Sequence, residues 1–83
     1  MEYRVFNLVV TTTEERNGQE FENELLNGLY TSKIEAIRQA QKIFAKQSLN
    51  MYVCGVWAAV YPLTITEKGS IRGKRIYNLY KTL

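Results

Sequence analysis

The sequence predicts a single small α+β domain spanning residues 1–83, with the element order β-β-α-β-β. One observation behind this prediction is the hairpin signal Asn17-Gly18, which lies between two strand-like segments. A second is the capping box Ser32-Lys33-Ile34-Glu35 at the start of a helical pattern, and a third is the apolar run from Met51 to Tyr61. Two hairpins joined by a helix favour a four-stranded antiparallel sheet with one amphipathic helix packed on one face.

The first hairpin is predicted from two segments, residues 3–13 and residues 20–26. The first segment is rich in β-branched and aromatic residues, which favour strands. The turn at Asn17-Gly18 suits type I′ geometry, because both residue types accept a positive φ. In the second segment Glu alternates with other residues, which predicts one acidic, solvated side, and Asn27-Gly28 is expected to end the strand.

The helix is predicted to begin after Ser32 and to end near Gln47. Ser32 is placed to accept a hydrogen bond from the Glu35 N–H, and the Glu35 side chain is placed to reach back. Apolar side chains repeat at helical spacing and include two alanines, which would let the helix lie close to the sheet. The predicted inner side consists of Ala36, Ile37, Ala40, Ile43 and Phe44.

The second hairpin is predicted from Met51–Tyr61 and Ile71–Tyr80. The first of these strands is almost wholly apolar and is therefore expected in the centre of the sheet. Pro62 removes an amide donor near its end, and residues 67–70 form the turn. Gly73, inside the last strand, indicates a bulge or a close approach of two backbones.

The composition excludes most familiar catalytic and metal sites. The chain has no His, its eight acidic residues are all Glu, and Cys54 is its only cysteine. A His-based triad, a His-centred metal site and a zinc site built from several cysteines are therefore impossible within one chain. We expect a protein that is not an enzyme and that has no cofactor and no metal, with Cys54 packed in the core as a small apolar residue.

Cysteine usage and hydropathy indicate the compartment. One cysteine cannot form a disulfide within the chain, which fits a reducing environment. No apolar run approaches the roughly 20 residues that a membrane helix requires, and residues 1–4 do not resemble the start of a signal peptide. A cytoplasmic protein without a membrane partner is expected.

Charge is distributed unevenly along the chain. Residues 1–30 contain six Glu and two Arg, a net charge of −4, whereas residues 31–83 contain two Glu and nine Lys or Arg, a net charge of +7. The sequence therefore predicts a molecule with two surfaces of opposite sign, or two ends that attract each other.

The face of the sheet that the helix cannot cover is the first candidate binding surface. In the third strand, alternate residues from Tyr52 to Val60 are mostly small or β-branched and suit close packing under the helix. The other set contains larger side chains and is expected on the uncovered face. With neighbours from other strands, the predicted face consists of Tyr3, Met51, Trp57, Tyr61 and Tyr77. A register slip of one residue would exchange the two sets.

Three interpretations of this aromatic face are open. Long side chains and the chain termini cover it, two copies of the chain bury it in a symmetric homodimer, or it binds another macromolecule. Trp, Tyr and Met are typical anchors of protein interfaces, which favours a protein partner in the third case.

Basic residues form the second candidate surface, a nucleic-acid interface. Some recur at helical spacing and others cluster in the last hairpin, close to two tyrosines. Such residues suit weak, salt-sensitive contacts with phosphates, although a solvated helix face and a charged edge strand are the more common explanation. The residues concerned are Arg38, Lys42, Lys46, Lys68, Arg72, Lys74 and Arg75.

The sequence therefore favours a non-enzymatic protein-binding module, and the alternatives are a weak nucleic-acid-binding protein and a structural homodimer. In its size, its lack of catalytic groups and its single α+β domain, the chain resembles small accessory proteins of phages and mobile elements, including anti-CRISPR-type inhibitors. This is a resemblance of size and style that includes no motif. It implies an accessory or inhibitory protein that acts by steric occlusion.

Overall fold

The computed structural model describes residues 2–83 and confirms the α+β prediction, with an antiparallel sheet and one helix on one of its faces. The elements are β1 (Tyr3–Arg16), β2 (Gln19–Tyr30), α1 (Lys33–Lys46), β3 (Val53–Thr66), β4 (Gly69–Arg72) and β5 (Tyr77–Thr82). The strand order is β2-β1-β3-β4, and β5 also pairs with β3. Among residues 2–83, no helix is both long and apolar enough to span a membrane.

The first hairpin forms at the predicted turn, but its strands are longer than predicted. Asn17 and Gly18 have φ values of 52° and 79°, as a type I′ turn requires. Asn27 and Gly28 do not end β2, because they pair with Val9 and Leu8 of β1 in the ladder. A bulge at residue 25 shifts the register between the two halves of the hairpin.

Side chains anchor both ends of α1. The Ser32 Oγ accepts a hydrogen bond from the Glu35 backbone N–H at 3.3 Å, which confirms the N-cap. The Glu35 carboxylate does not show the reciprocal bond; its Oε1 accepts from Gln39 Nε2 at 3.0 Å. At the other end, Lys81 Nζ donates to the Phe44 carbonyl at 3.1 Å and to the Gln47 carbonyl. A lysine of β5 therefore ties the carbonyl end of the helix to the sheet.

The core lies between α1 and one face of the sheet. Ala36 and Ala40 are completely buried, so the helix backbone approaches β1 and β3 closely. The predicted orientation of the third strand is confirmed from Val56 onward, because Val56, Ala58 and Val60 face the helix. The buried core consists of Leu8, Val10, Ala36, Ala40, Val56, Ala58 and Val60.

The prediction of one continuous last strand is wrong. β4 and β5 lie along the same edge of β3, separated by residues 73–76. The predicted close approach at Gly73 is confirmed: its N–H donates to the Pro62 carbonyl at 2.8 Å, and a Cβ on Gly73 would lie 2.9 Å from Pro62 Cγ. In an antiparallel strand the N–H and C=O of one residue point to the same side, and the Pro62 carbonyl points to this break. The N–H that proline lacks would therefore face the break as well.

The prediction that Cys54 lies in the core is also wrong. The register between β1 and β3 changes between Thr13 and Glu14, and residue 54 is the extra residue of this bulge. Cys54 is half-buried, and its Sγ lies 3.4 Å from the Thr13 carbonyl, to which it donates. The alternation that holds from Val56 onward therefore does not extend back to Cys54.

Candidate protein-binding face

The sheet surface opposite α1, called the open face below, is not covered by any helix of residues 2–83. Its side chains come from alternate positions of the strands. Trp57 of β3 lies between Thr11 of β1 and Tyr80 of β5, and Tyr61 lies beside Asn7. Because β3 is an interior strand, Trp57 is near the middle of the sheet.

Aromatic side chains on the open face are paired with arginines. The Arg72 Cζ lies 4.5 Å from the centroid of the Tyr61 ring, and the Arg75 Cζ lies 5.1 Å from the centroid of a Trp57 ring. Both distances are within the range of cation–π attraction. Trp57 still exposes 38% of its surface and Tyr80 exposes 63%. The arginines therefore cover the aromatic surface only in part, and the remaining surface is a mixture of rings and guanidinium groups.

A buried asparagine connects the strands of the open face. Asn7 is only 3% exposed, and its Oδ1 accepts a hydrogen bond from Arg72 Nη2 at 2.5 Å. Its Nδ2 donates to Asn27 Oδ1 at 2.6 Å and to the carbonyl of Gly28 at 3.0 Å. Asn27 in turn donates to Glu24 Oε1 at 3.0 Å. This chain of hydrogen bonds runs from the Arg72 guanidinium on β4 to the Glu24 carboxylate on β2. It gives both the oxygen and the nitrogen of the buried Asn7 amide a hydrogen-bond partner.

A groove of about 320 Å³ lies toward one end of the open face. Gly55 contributes to its lining and has no side chain to fill it. A Cβ there would make ordinary contacts with Thr13 at 3.5 Å, so an alanine would fit at this position. The remaining lining residues include carboxylates of β2 and aromatic side chains of β3 and β5. The lining includes Thr11, Thr13, Glu20, Glu22, Gly55, Trp57, Tyr80 and Thr82.

Opposite charges come from opposite edges of the open face, and the guanidinium groups on one side reach inward over the central rings. Glu20, Glu22 and Glu24 lie on β2, the strand at one edge of the sheet. Arg72 and Arg75 belong to β4 and to the segment that follows it, at the other edge. The uneven charge along the sequence thus becomes a separation of charge across one surface.

Three of the predicted face residues lie on the open face and two do not. Trp57, Tyr61 and Tyr3 occupy alternate positions of β3 and β1 on that side. Tyr77 was placed wrongly: it pairs with Val60 and packs against the core, and its hydroxyl accepts from Gln41 Nε2 of α1 at 3.1 Å. The break between β4 and β5 sets this register, which the sequence alone does not reveal.

Met51 was also placed wrongly. It precedes β3, which begins at Val53, and it is 78% exposed outside the sheet. Conversely, sequence reasoning missed Tyr80 and Asn7. No local signal identified Asn7, whereas alternation along β5 would have identified Tyr80 if the pairing with Trp57 had been known.

The predicted nucleic-acid-binding residues do not share one surface. Arg38, Lys42 and Lys46 are exposed on α1, on the opposite side of the sheet from the open face. Arg72 and Arg75 lie over rings of the open face instead. Lys68 and Lys74 are exposed in the connections on either side of β4. The basic residues are thus divided between two sides of the molecule.

Residues 2–83 do not bring together three or more His, Cys, Asp or Glu side chains in a group that could hold a metal ion. The carboxylates of Glu20 and Glu22 line the groove opposite aromatic side chains, an arrangement that suits contact with a polar or cationic protein surface. The open face offers groups for stacking, cation–π contacts and hydrogen bonds.

Comparison with known proteins found no matching family model, and neither a curated protein nor a solved structure is significantly similar to the chain.

Proposed function

We propose that this chain is a non-enzymatic protein-binding module whose open face is the contact surface. The observation that supports this most directly is the position of Trp57. It lies partly exposed near the middle of the sheet, with Tyr80 beside it on β5 and Arg75 over its ring. Trp, Tyr and Arg are the residue types that most often dominate the free energy of protein association.

The layout of the open face resembles that of a protein interface. Large side chains lie toward its centre, glutamates lie at the β2 edge, and two arginines extend from the β4 edge with their guanidinium groups over the central rings. In known interfaces, a central cluster of this kind provides most of the affinity, while charges at the rim guide the encounter. A sheet face of this shape would act by covering part of a partner's surface, as an accessory protein or an inhibitor does by steric occlusion.

A site-specific photo-crosslinking experiment tests the proposal. A photoreactive phenylalanine analogue replaces Tyr80 on the open face in one variant and Ile34 on α1 in a matched control, since these side chains are 63% and 64% exposed. Each variant is irradiated in an extract of the organism that encodes the chain. We expect a discrete protein adduct from position 80 and none from position 34.

The result can contradict the proposal in two ways. An adduct from position 34 with none from position 80 would assign binding to the helix side. An adduct at position 80 that disappears after nuclease treatment would assign the open face to a nucleic acid. Adding Trp57→Ala to the Tyr80 variant should abolish the protein adduct, because the substitution removes the central ring.

A further inference from the structure

We propose that the outer edge of β2 binds an extended segment of another protein, which adds to the sheet as an antiparallel strand with basic side chains at alternate positions. The edge concerned is the regular part of β2, residues 19–24, which follows the Asn17-Gly18 turn. This site goes beyond the proposed function, because it lies at the margin of the sheet and does not require Trp57.

The backbone of β2 presents unpaired groups along this edge. Glu15 of β1 donates its N–H to the Tyr52 carbonyl at 2.9 Å, so its backbone polar groups point toward the β3 side and away from β2. The residue opposite it is Glu20, whose N–H and C=O therefore point away from β1, to the free edge. The ladder is regular up to Glu24, so Glu22 and Glu24 face outward in the same way. Within residues 2–83 only β1 pairs with β2, and these outward groups are open to an added strand.

The side chains of the same three glutamates determine which strand would fit. They lie on the open face, because Glu22 pairs with Thr13 and Glu24 pairs with Thr11. In an antiparallel pair, directly opposed residues place their side chains on the same face and close together. Lys or Arg at three alternate positions of the added strand would therefore each lie opposite one carboxylate.

These carboxylates lack cations of their own. Among residues 2–83, neither Glu20 nor Glu22 has a hydrogen-bond or ion-pair partner for its side chain. Glu15 lies directly opposite Glu20, an unfavourable pairing of like charges. The neighbouring Arg16 binds Glu14 at 2.9 Å instead. A basic strand would thus relieve a repulsion that the free protein contains.

The same residues exclude a second copy at this edge. If β2 paired with β2 of another copy over residues 19–24, every register that joins the outward groups would place glutamate opposite glutamate. On the other side of the strand, Phe21 lies between these glutamates in sequence and is 45% exposed. Apolar residues between the basic ones would pack beside its ring. The expected partner segment therefore alternates basic and apolar residues.

A peptide titration tests the inference. The probe is a synthetic peptide with capped ends in which three lysines alternate with valines, and its control is an isomer with the lysines contiguous. We expect the alternating peptide to bind and the isomer to bind at least about tenfold more weakly, because strand addition requires the spacing. Hydrogen exchange of the Glu22 amide, which points to the free edge, should slow by at least about tenfold at saturation.

Variants of the protein test the charge pairing. Glu22→Lys should weaken binding by at least about tenfold, and a peptide whose central lysine is replaced by glutamate should restore it. Glu2→Lys makes the same change of charge at an exposed residue near the other end of the sheet and should leave binding unchanged. The melting temperature of each variant is measured first, so that misfolding is not mistaken for lost binding.

A change in the peptide backbone tests the hydrogen bonds. N-methylation of the central lysine removes a donor that would face β2 and should weaken binding by at least about tenfold. N-methylation of an adjacent valine, whose N–H would face away from β2, should retain binding. A loss from the valine position with none from the lysine position would contradict the antiparallel pairing.

An alternating peptide that fails to bind at about 500 μM would overturn the inference. So would equal affinity of the isomer, or binding that leaves exchange of the Glu22 amide unchanged, since either result would show attraction of charge without strand addition. Trp57→Ala should leave peptide binding unchanged. Failure at the β2 edge would therefore leave the crosslinking test at position 80 standing, and failure of that test would leave the β2 edge standing.

Discussion

Arg72 donates a hydrogen bond to the buried Oδ1 of Asn7 at 2.5 Å, although 65 positions separate the two residues in the sequence. The arginine belongs to β4 and the asparagine to β1, so the side chain crosses over β3 and lies above the ring of Tyr61. Because both the hydrogen bond and the ring hold the guanidinium group, less side-chain entropy is lost when a partner binds there. The open face is thus partly ordered before any contact is made.

Asn7→Ala should lower the free energy of unfolding by about 1–3 kcal/mol, because it leaves polar partners of the buried amide without hydrogen bonds. The measurement is urea denaturation followed by circular dichroism. Asn78→Ala is the control: Asn78 is exposed on the same side of the sheet, on β5, and should change stability by less than about 0.5 kcal/mol. Equal effects of the two substitutions would show that the Asn7 network contributes nothing specific.

Lys81→Met should destabilise the protein by about 1–2 kcal/mol. Methionine keeps an apolar stem but cannot donate to the Phe44 and Gln47 carbonyls at the end of α1. It also removes the ammonium that lies 4.6 Å from the centroid of the Phe44 ring. Hydrogen exchange of the last helical turn should rise together with the loss of stability. Lys74→Met, at an exposed position in the connection after β4, should do neither.

Gly73→Ala should cost about 1–3 kcal/mol, because its Cβ would lie 2.9 Å from Pro62 Cγ in a tightly packed crossing of two segments. Gly55→Ala adds the same methyl group at an ordinary 3.5 Å contact and should change stability by less than about 0.5 kcal/mol. The two melting temperatures compare these sites directly. A Gly73→Ala protein as stable as wild type would mean that the backbone yields easily at the break between β4 and β5.

Gly18→Ala should destabilise the first hairpin by about 1–2 kcal/mol, because a Cβ is unfavourable at a φ of 79°. No atom lies within 4 Å of the position where the new Cβ would be, so the cost is conformational and not steric. Thermal unfolding measures it, with Ser70→Ala in the other hairpin as the control. If the two proteins melt at the same temperature, the type I′ turn does not determine the stability of this hairpin.

The parts of the fold that short-range chemistry determines could be predicted from the sequence. The turn at Asn17-Gly18 follows from the positive φ that both residues tolerate, and the start of α1 follows from the Ser32 cap. Strand alternation correctly assigned Val56 to the helix side and Trp57 to the open face. Each of these predictions depends on residues close together in the chain.

Features that depend on register could not be predicted. The bulge at Cys54 and the break before Tyr77 each change which side of the sheet the neighbouring residues face. The sequence around these two sites does not indicate which residue of the adjacent strand each residue pairs with. The bond between Asn7 and Arg72 likewise requires β4 to be placed beside β3 before the two residues can meet. The composition of the open face therefore became clear only with the tertiary structure.

The most direct test of the central claim uses Trp57, because it is the only tryptophan in the chain and lies on the open face. Labelling with 5-fluorotryptophan gives one fluorine NMR signal at this position. The spectrum is recorded as protein concentration is raised and, separately, as extract of the encoding organism is added. Binding through the open face predicts that the signal shifts or broadens in at least one series. A signal that stays sharp and unshifted in both series would contradict the claim that the open face is a protein-binding surface.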